Sequence, residues 1–435
     1  MEITPLQEWI ARKTGISSGE NLDAGTLHDH QLDLLHKTLD LAKTNSPFYR
    51  HHLRNVHVQD LKSMADIVNL PFTYPRDIAD SGLQMLCVSQ SEIARVVTLQ
   101  TSGTTGNPKR LYFTREDLEL TADFFAHGMK ALVTQGQKVM VLMPGPTLGS
   151  VGERLTTGLE QMGCRTVVHG FVNDPGQVID KINALAVDGL IGLPAQVLSL
   201  ARWPRNILPG RLKSVLLSGD YLPRAIIDAI QDVWRCPVFN HYGMTETGLG
   251  GGVECQALKG CHLREADLYL EIVDPQGKKV PHGHPGEIVL TTLTRTGMPL
   301  IRYRTGDISR LLTARCACGS SLKRLDRLQG RSVYRYNGME LALQEMDESL
   351  FRLKDIVDFQ VTIEKQQQRC RLNLEFWAIP GGKPDLALDI RQILHEIPGV
   401  ARWINQGMLS INDVSPSRNN LFFNPGKRKI KEIIT

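Results

Sequence analysis

A glycine- and hydroxyl-rich loop at residues 101–109 has the composition of an anion-binding loop. It lies between the β-rich run ARVVTLQ and the strand-like run RLYFT. Glycines allow a tight turn with backbone N–H groups facing an anion, and hydroxyls and a lysine can bind phosphate oxygens. A Walker loop differs in its spacing and in running directly into a helix. We predict a hairpin loop over a triphosphate, with a purely structural polar turn as the alternative. The candidate residues are Thr101, Ser102, Gly103, Thr104, Thr105, Gly106 and Lys109.

Cysteines and one histidine in the second half of the chain have the spacing of a metal site. Cys255 is followed by the adjacent Cys261 and His262, and a Cys316-Ala-Cys318 run comes later. Paired soft ligands on two turns are typical of tetrahedral structural zinc with three thiolates and one imidazole. Four protein ligands would leave no position for a substrate, so we predict a stabilising site rather than a catalytic one. The spacing does not exclude Cys261 as a ligand, and reduced core cysteines are the alternative.

Composition restricts the class of protein that carries these residues. The chain has 435 residues, of which 42% are hydrophobic and 22% charged, with a formal net charge of +4 and eight cysteines. These values are typical of a globular protein of two or more domains. Because no basic stripe, long apolar run or secretory leader is evident, we expect no nucleic-acid partner, no membrane span and a cytoplasmic location. Eight cysteines are too few for a disulfide scaffold.

Hydrophobic periodicity predicts the elements that position these residues. Apolar residues at helical spacing over 32–42 predict a helix that ends before Ser46-Pro47. From residue 93, short β-rich runs alternate with helical segments, which is typical of an α/β domain with a mainly parallel sheet. From residue 263, alternating strands joined by Gly/Pro turns predict a β-rich lobe. The last hundred or so residues fit a small α+β domain after a hinge near Gly330-Arg331.

Several ordered motifs resemble those of the adenylate-forming superfamily, and most of all those of phenylacetate–CoA ligases. They are TSGTTGNPK, HYGMTETG, IRYRTGD and the C-terminal GKRKI, with an opening NSPFYR and LPFT. The resemblance implies a large N-terminal ATP- and acid-binding domain (1–330) and a small mobile C-terminal domain (331–435). It also implies that ATP activates a carboxylic acid, aryl or small and hydrophobic, as an acyl-adenylate. CoA would then take the acyl group and release AMP.

The motif HYGMTETG offers groups suited to adenine, phosphate and a metal ion. Tyr242 offers a flat surface on which adenine can stack, and Gly243 permits close approach. Thr245 can donate to the α-phosphate, and Glu246 is a hard oxygen ligand suited to magnesium beside phosphates. Core packing for Tyr242 and a helix N-terminal carboxylate for Glu246 are the structural alternatives.

Three further residues have roles implied by the resemblance. Asp307 in YRTGD can accept both ribose hydroxyls, although a turn aspartate is the alternative. Arg331 at the hinge can reach ribose or phosphate with its fork of donors. Lys427 resembles the catalytic lysine that neutralises two approaching anions, the carboxylate and the α-phosphate. Lys429, Lys431 or a basic tail without a role are the alternatives.

The resemblance completes the list of expected sites and partners. It implies ATP contacts for Ser218, Gly219 and Asp220, and it implies a possible homodimer. It selects Cys255, His262, Cys316 and Cys318 as the zinc ligands.

The chain departs from the pattern of the relatives at two places, one that concerns the acyl acceptor and one in the 101–109 loop. Ser332-Val333-Tyr334 stands where the relatives usually have an acidic pair, and Lys109 stands where they often have threonine. The first leaves a carrier-protein thiol or an amine as alternative acceptors to CoA. Segments 143–155 and 217–223, which should line the acid pocket, show no ring of aromatic residues, so the acid itself is not identified.

Overall fold

The computed structural model describes residues 2–16, 22–99, 107–145, 147–330, 333–366, 369–418 and 428–434. The predicted site residues that lie outside the described residues are Thr101, Ser102, Gly103, Thr104, Thr105, Gly106, Arg331 and Lys427. The helices of the described part are α1 (Pro5–Lys13), α2 (Ala24–Asn45), α3 (Pro47–His52), α4 (Pro75–Ser81), α5 (Arg115–Gly128), α6 (Val151–Gln161), α7 (Pro175–Ala184), α8 (Pro194–Arg202), α9 (Arg224–Trp234), α10 (Leu343–Leu350), α11 (Leu386–Glu396) and α12 (Pro398–Asn405).

The strands follow the same chain order. They are β1 (Arg95–Leu99), β2 (Lys109–Phe113), β3 (Lys138–Leu142), β4 (Arg165–Val168), β5 (Gly189–Gly192), β6 (Ser214–Leu217), β7 (Val238–Tyr242), β8 (Gly252–Val253), β9 (Cys261–Leu263), β10 (Leu268–Val273), β11 (Gly286–Thr292), β12 (Tyr303–Ser309), β13 (Arg324–Leu325), β14 (Val333–Tyr336), β15 (Met339–Ala342), β16 (Ile356–Gln366), β17 (Arg369–Ala378), β18 (Leu409–Pro416) and β19 (Lys431–Ile434). They belong to two compact units of the chain. The first comprises Met1–Gln135, Pro146–Cys164 and Phe239–Arg327, and the second Gly136–Gly145, Arg165–Val238 and Leu328–Thr435.

The first unit is dominated by antiparallel pairing. Strands β1 and β2 form a hairpin, β10-β11-β12 form a three-stranded sheet, and β13-β9-β8-β7 pair antiparallel. Helix α5 begins directly after β2 because Thr114 and Asp117 form a capping box, each side chain bonded to the other's backbone N–H. A buried arginine, Arg302, lies directly before β12 and donates two hydrogen bonds to Glu271 of β10, at 3.0 and 3.1 Å. The sheets and helices of this unit therefore hold β2 and β12 in fixed positions.

The second unit combines a parallel sheet with the C-terminal α+β segment. Strands β6-β5-β3-β4 are all parallel, and β5 and β6 are buried along their whole length. In the C-terminal sheet, with the order β18-β17-β16-β19, β16 and β17 pair antiparallel and the two outer pairs are parallel. One hydrophobic cluster includes Leu217 of the parallel sheet and Phe359 of the C-terminal sheet, so this unit has a continuous core.

The predicted elements are confirmed by this α/β architecture. Residues 32–42 lie within α2, which ends at Asn45 as the Ser46-Pro47 pair requires. Residues 138–217 alternate between strands of a parallel sheet and helices, and residues after 263 form antiparallel strands. The domain boundary at residue 330 stays a prediction. Among the described helices, none is both long and apolar enough to cross a membrane.

Candidate functional site

Three side chains from distant parts of the chain meet in the first unit around one carboxylate. Lys109 Nζ lies 2.6 Å from Glu246 Oε1 and 3.1 Å from the Tyr303 hydroxyl, which itself donates to Glu246 Oε1 at 3.0 Å. The side chains of Lys109 and Glu246 are 15% and 3% exposed. Since a buried carboxylate needs a charged or hydrogen-bonded partner, the ammonium and the phenol together satisfy and orient the Glu246 carboxylate.

Local structure explains why each of these three side chains reaches the cluster. Lys109 is the first residue of β2 and pairs with Leu99, so it stands at the end of the hairpin that carries the 101–109 loop. Glu246 is the central residue of a short 3-10 helix, Thr245–Thr247, which follows β7. Tyr303 begins β12 and is fully buried.

Arg295 fixes the backbone of the Glu246 turn. Its Nη1 donates to the Glu246 carbonyl at 3.1 Å, and its guanidinium lies 4.1 Å from the centre of the Phe113 ring on β2. Burial lowers the pKa of Arg295, while the nearby Asp117 and Glu246 carboxylates act in the opposite direction. The arginine therefore ties the turn to the same strand that carries Lys109.

A second pair lies at the other end of β12. The Tyr242 hydroxyl donates to Asp307 Oδ2 at 3.3 Å, and Asp307 is fully buried. Tyr303 and Asp307 are four residues apart on β12, and both are fully buried. A Cβ at Gly243 would lie 2.1 Å from the Leu249 carbonyl oxygen, so only glycine fits between Tyr242 and the following loop. Thr245, at the start of the 3-10 helix, is half-buried.

The predicted residues Ser218, Gly219 and Asp220 lie in the second unit. They follow β6 directly, at the C-terminal end of the parallel sheet, where the Ser218 N–H donates to the Gly192 carbonyl at 3.1 Å. Gly219 has a φ of +88°, which favours glycine. Asp220 Oδ1 accepts from the Tyr221 N–H at 2.9 Å. In open α/β sheets this edge, outside the carboxyl ends of the strands, is where ligands bind.

The four predicted metal ligands converge in the first unit. Ligand atoms of Cys255, His262, Cys316 and Cys318 all lie within 4.8 Å of one another, and all four residues are buried. Cys255 Sγ is 3.6 Å from Cys316 Sγ, and Cys318 Sγ is 3.5 Å from His262 Nε2. Cys261 faces away from them, because neighbouring residues on β9 point to opposite sides and its Sγ contacts the Asn240 carbonyl at 3.4 Å.

The 3.6 and 3.5 Å separations match the edges of a tetrahedral zinc site. Bonds of about 2.3 Å to sulfur and 2.0–2.1 Å to nitrogen give edges of roughly 3.8 Å between sulfurs and 3.5 Å between sulfur and nitrogen. Burial lowers the pKa of His262 to about 4, so its imidazole is neutral, as metal ligation requires. The donor set suits zinc and has no position left for a substrate.

Sequence reasoning found some of these residues and missed others. The structure brings together Lys109 and Glu246, Tyr242 and Asp307, and the four-residue cysteine–histidine cluster, all of which were predicted. Tyr303 and Arg295 were missed. The even spacing of Tyr303 and Asp307 within IRYRTGD, which predicts one face for a regular strand, could have identified Tyr303. Nothing in the sequence signals that Arg295 would meet Glu246.

Comparison with known proteins gives one family and several relatives. Residues 64–294 match the family model of the AMP-binding enzyme. A phenylacetate–coenzyme A ligase from Aromatoleum evansii is 32% identical over 315 residues, which cover 69% of this chain and 70% of that protein. A phenylacetate–coenzyme A ligase from Pseudomonas putida is 30% identical over 353 residues, 78% of each chain.

Solved structures share the fold. A 2-hydroxyisobutyryl-CoA ligase in the postadenylation state, in complex with R3-HIB-AMP, superposes with a TM-score of 0.76 at 21% identity, over 94% of this chain and 90% of that one. The same ligase with 2-HIB-AMP and CoA in the thioesterification state gives a TM-score of 0.66 at 21% identity, over 95% and 91%. At this identity the likeness concerns architecture alone.

Proposed function

The chain belongs to the AMP-binding enzyme family, and on this premise we propose that it is an ATP-dependent, AMP-forming acid–CoA ligase. In the first step a carboxylate oxygen attacks the α-phosphorus of ATP, and pyrophosphate leaves with the electron pair of the broken P–O bond. In the second step the CoA sulfur attacks the acyl carbon of the adenylate, and AMP leaves. The phenylacetate–coenzyme A ligases that cover most of this chain support this pair of steps.

The observation that carries the proposal is the arrangement of two polar pairs along β12. Tyr242 and Asp307 form one pair, which suits a nucleoside because a ring face and a carboxylate can bind adenine and the ribose hydroxyls. Lys109 and Glu246 form the other, with Tyr303 as a shared partner. A lysine beside the 101–109 loop supplies positive charge for phosphates, and Thr245 beside Glu246 can donate to the α-phosphate.

We also propose residues for the remaining roles that the resemblance implies. Thr101, Ser102, Gly103, Thr104, Thr105 and Gly106 would hold the triphosphate, Ser218, Gly219 and Asp220 would contact ATP, and Arg331 would reach ribose or phosphate. Lys427, on a mobile domain of residues 331–435, would neutralise the two anions during adenylation. Such a lysine serves only the half-reaction in which its domain presents it to the substrates.

Two metal ions belong to the proposal. Glu246 would hold magnesium, which supplies charge neutralisation at the phosphates when it is bound. Cys255, His262, Cys316 and Cys318 would hold zinc, and their sulfur and nitrogen spacing supports a structural ion.

The acid, acceptor and setting are also proposed. We propose an aryl or small hydrophobic acid and CoA as the acceptor, with a carrier-protein thiol or an amine as the alternative acceptor. We expect the protein to act in the cytoplasm, where ATP and CoA are supplied, and to form the homodimer that the resemblance implies.

The test is pyrophosphate release from ATP over a panel of aryl and short aliphatic acids, with and without CoA. We expect one acid class to drive release, and CoA to convert the adenylate into a thioester with repeated turnover. Release that stops after a single turnover in the presence of CoA would contradict CoA as the acceptor and favour a carrier protein or an amine. No release with any acid would overturn the proposed function.

A further inference from the structure

A small pocket beside the Glu246 turn is lined by an arginine whose donors are only partly used. The pocket has a volume of about 30 Å³ and lies entirely within the first unit. Arg295, which is 6% exposed, donates from Nη1 to the Glu246 carbonyl. Its Nε and Nη2 have no hydrogen-bond acceptor within the described part of the chain. Because buried donors without a partner are costly, the pocket suits a ligand that accepts hydrogen bonds.

The other charged side chains that line the pocket already have partners. Arg264 holds Asp267 Oδ2 through its Nε and Nη2, at 2.9 and 2.7 Å, so this buried pair is neutral as a whole. Asp117 directs its two carboxylate oxygens at the N–H groups of Thr114 and Thr296, at 3.0 and 3.2 Å. Asp117 also lies in the first turn of α5, where the helix dipole offsets its negative charge.

The guanidinium of Arg295 is therefore the charged group of the pocket that is least well compensated. Burial lowers its pKa, and the Asp117 and Glu246 carboxylates offset this lowering only in part, while Arg264 adds to it. The Glu246 carboxylate is itself paired with Lys109 at 2.6 Å. A ligand that accepts N–H bonds and carries a negative charge would satisfy the donors and the charge of Arg295 together.

The size of the pocket restricts this ligand to a small one. A space of about 30 Å³ holds one or two water-sized groups, which is room for a monatomic anion but not for a phosphate or a carboxylic acid. The half-buried residues Leu120, Gly248 and Thr294 are part of the lining, so an ion can enter from solvent. On another side the ring centre of Phe113 lies 4.1 Å from the Arg295 guanidinium and closes the pocket.

We propose that this pocket binds a monatomic anion of the halide class, such as chloride, through Nε and Nη2 of Arg295. The ion would compensate the guanidinium whose Nη1 holds the Glu246 carbonyl, and it would thereby stabilise the turn that carries Glu246. A water molecule accepts the same hydrogen bonds but brings no negative charge. This difference separates the halide from water, and it does not depend on the reaction that the protein catalyses.

Thermal unfolding in sodium chloride and in sodium gluconate at equal ionic strength tests the halide site. Screening is then the same in both salts, and gluconate is too large for the pocket. We expect chloride to raise the melting temperature of the wild type by about 2 °C more than gluconate does, with an effect that saturates as the concentration rises. Arg295→Met should abolish this difference, because it removes both donors and the charge.

Arg202→Met is the matched control, since Arg202 belongs to the second unit and donates to the Leu353 and Phe351 carbonyls at 2.8 and 2.6 Å. It should keep the chloride response of the wild type. Crystals of the wild type soaked in sodium bromide locate the ion without any variant, and we expect an anomalous bromide peak within hydrogen-bond distance of Arg295. Water alone at this position, or a chloride response that Arg295→Met retains, would overturn the halide site.

Discussion

Lys109 and Glu246 form a nearly buried ion pair at the point where the proposed magnesium site lies. The ammonium is 2.6 Å from Glu246 Oε1, and Tyr303 donates to the same oxygen. A lysine ammonium and a divalent cation satisfy a carboxylate in the same way, by placing positive charge against its oxygen. Lys109 therefore places at Glu246 the kind of positive charge that a bound metal ion would also supply.

Replacing Lys109 should make the stability of the protein depend on a metal ion at Glu246. Lys109→Met keeps the aliphatic length and removes the charge, so we expect a loss of about 3 kcal/mol in the unfolding free energy, as for other broken buried pairs. Millimolar Mg²⁺ should restore part of that loss in the variant and should change the wild type little. Thermal and urea unfolding, each with and without Mg²⁺, provide the measurement.

Lys13→Met is the control for this comparison, because Lys13 pairs with Asp123 at 3.2 Å in a more exposed setting. It should lose little stability and show no response to Mg²⁺. An equal response to Mg²⁺ in the two variants would show that the Lys109 pair and the metal do not compete for Glu246.

At the scale of elements, the cysteine–histidine cluster joins three short pieces of chain. Cys255 follows β8, His262 lies on β9, and Cys316 and Cys318 lie between β12 and β13. Strands β8, β9 and β13 are two or three residues long. Strands this short contribute few ladder hydrogen bonds, so a bound ion would supply much of what holds these turns together.

Loss of one thiolate should therefore remove both metal and stability. We expect Cys316→Ser to abolish stoichiometric zinc and to lower the melting temperature, and a chelator to have the same effect on the wild type. Metal analysis by mass spectrometry together with calorimetry provides the measurement. Cys87→Ser is the control, since Cys87 is buried in the same unit outside the cluster and should leave the zinc content unchanged. A wild-type protein that contains no zinc, and whose melting temperature does not change with a chelator, would contradict the zinc site.

Elements with local signals could be predicted from the sequence, and contacts between distant elements could not. The end of α2, the parallel and antiparallel regions and the cysteine–histidine spacing all depend on periodicity or on neighbouring residues. The Arg295 contact with the Glu246 carbonyl and the ion pair between Arg428 and Asp347 join residues that lie far apart in the chain. An arginine has the same local pattern whether solvent or two carboxylates surround it, so only the fold distinguishes these cases.

At the scale of the whole molecule, two buried carboxylates that pair with Arg428, those of Asp347 and Asp358, should make folding stability depend on pH. Burial raises the pKa of Asp347 to about 7 and that of Asp358 to about 6, although Arg428 opposes both shifts. The ordinary value is 3.8, so between about pH 4 and pH 7 the folded state binds more protons than the unfolded chain. The unfolding free energy contributed by these groups therefore falls as the pH rises through this window and levels off above it.

We expect the wild type to lose roughly 2 kcal/mol more unfolding free energy than Asp347→Asn between pH 5 and pH 8, because asparagine does not titrate. Urea unfolding at several pH values measures this difference. Burial lowers the pKa of His241 to about 4, which makes stability rise with pH and so opposes this trend. Because both proteins contain His241, its contribution cancels in the difference between them. Asp413→Asn, at an exposed position on β18, should keep the wild-type slope. Parallel pH profiles for the wild type and Asp347→Asn would mean that the Asp347 carboxyl keeps an ordinary pKa in the folded protein.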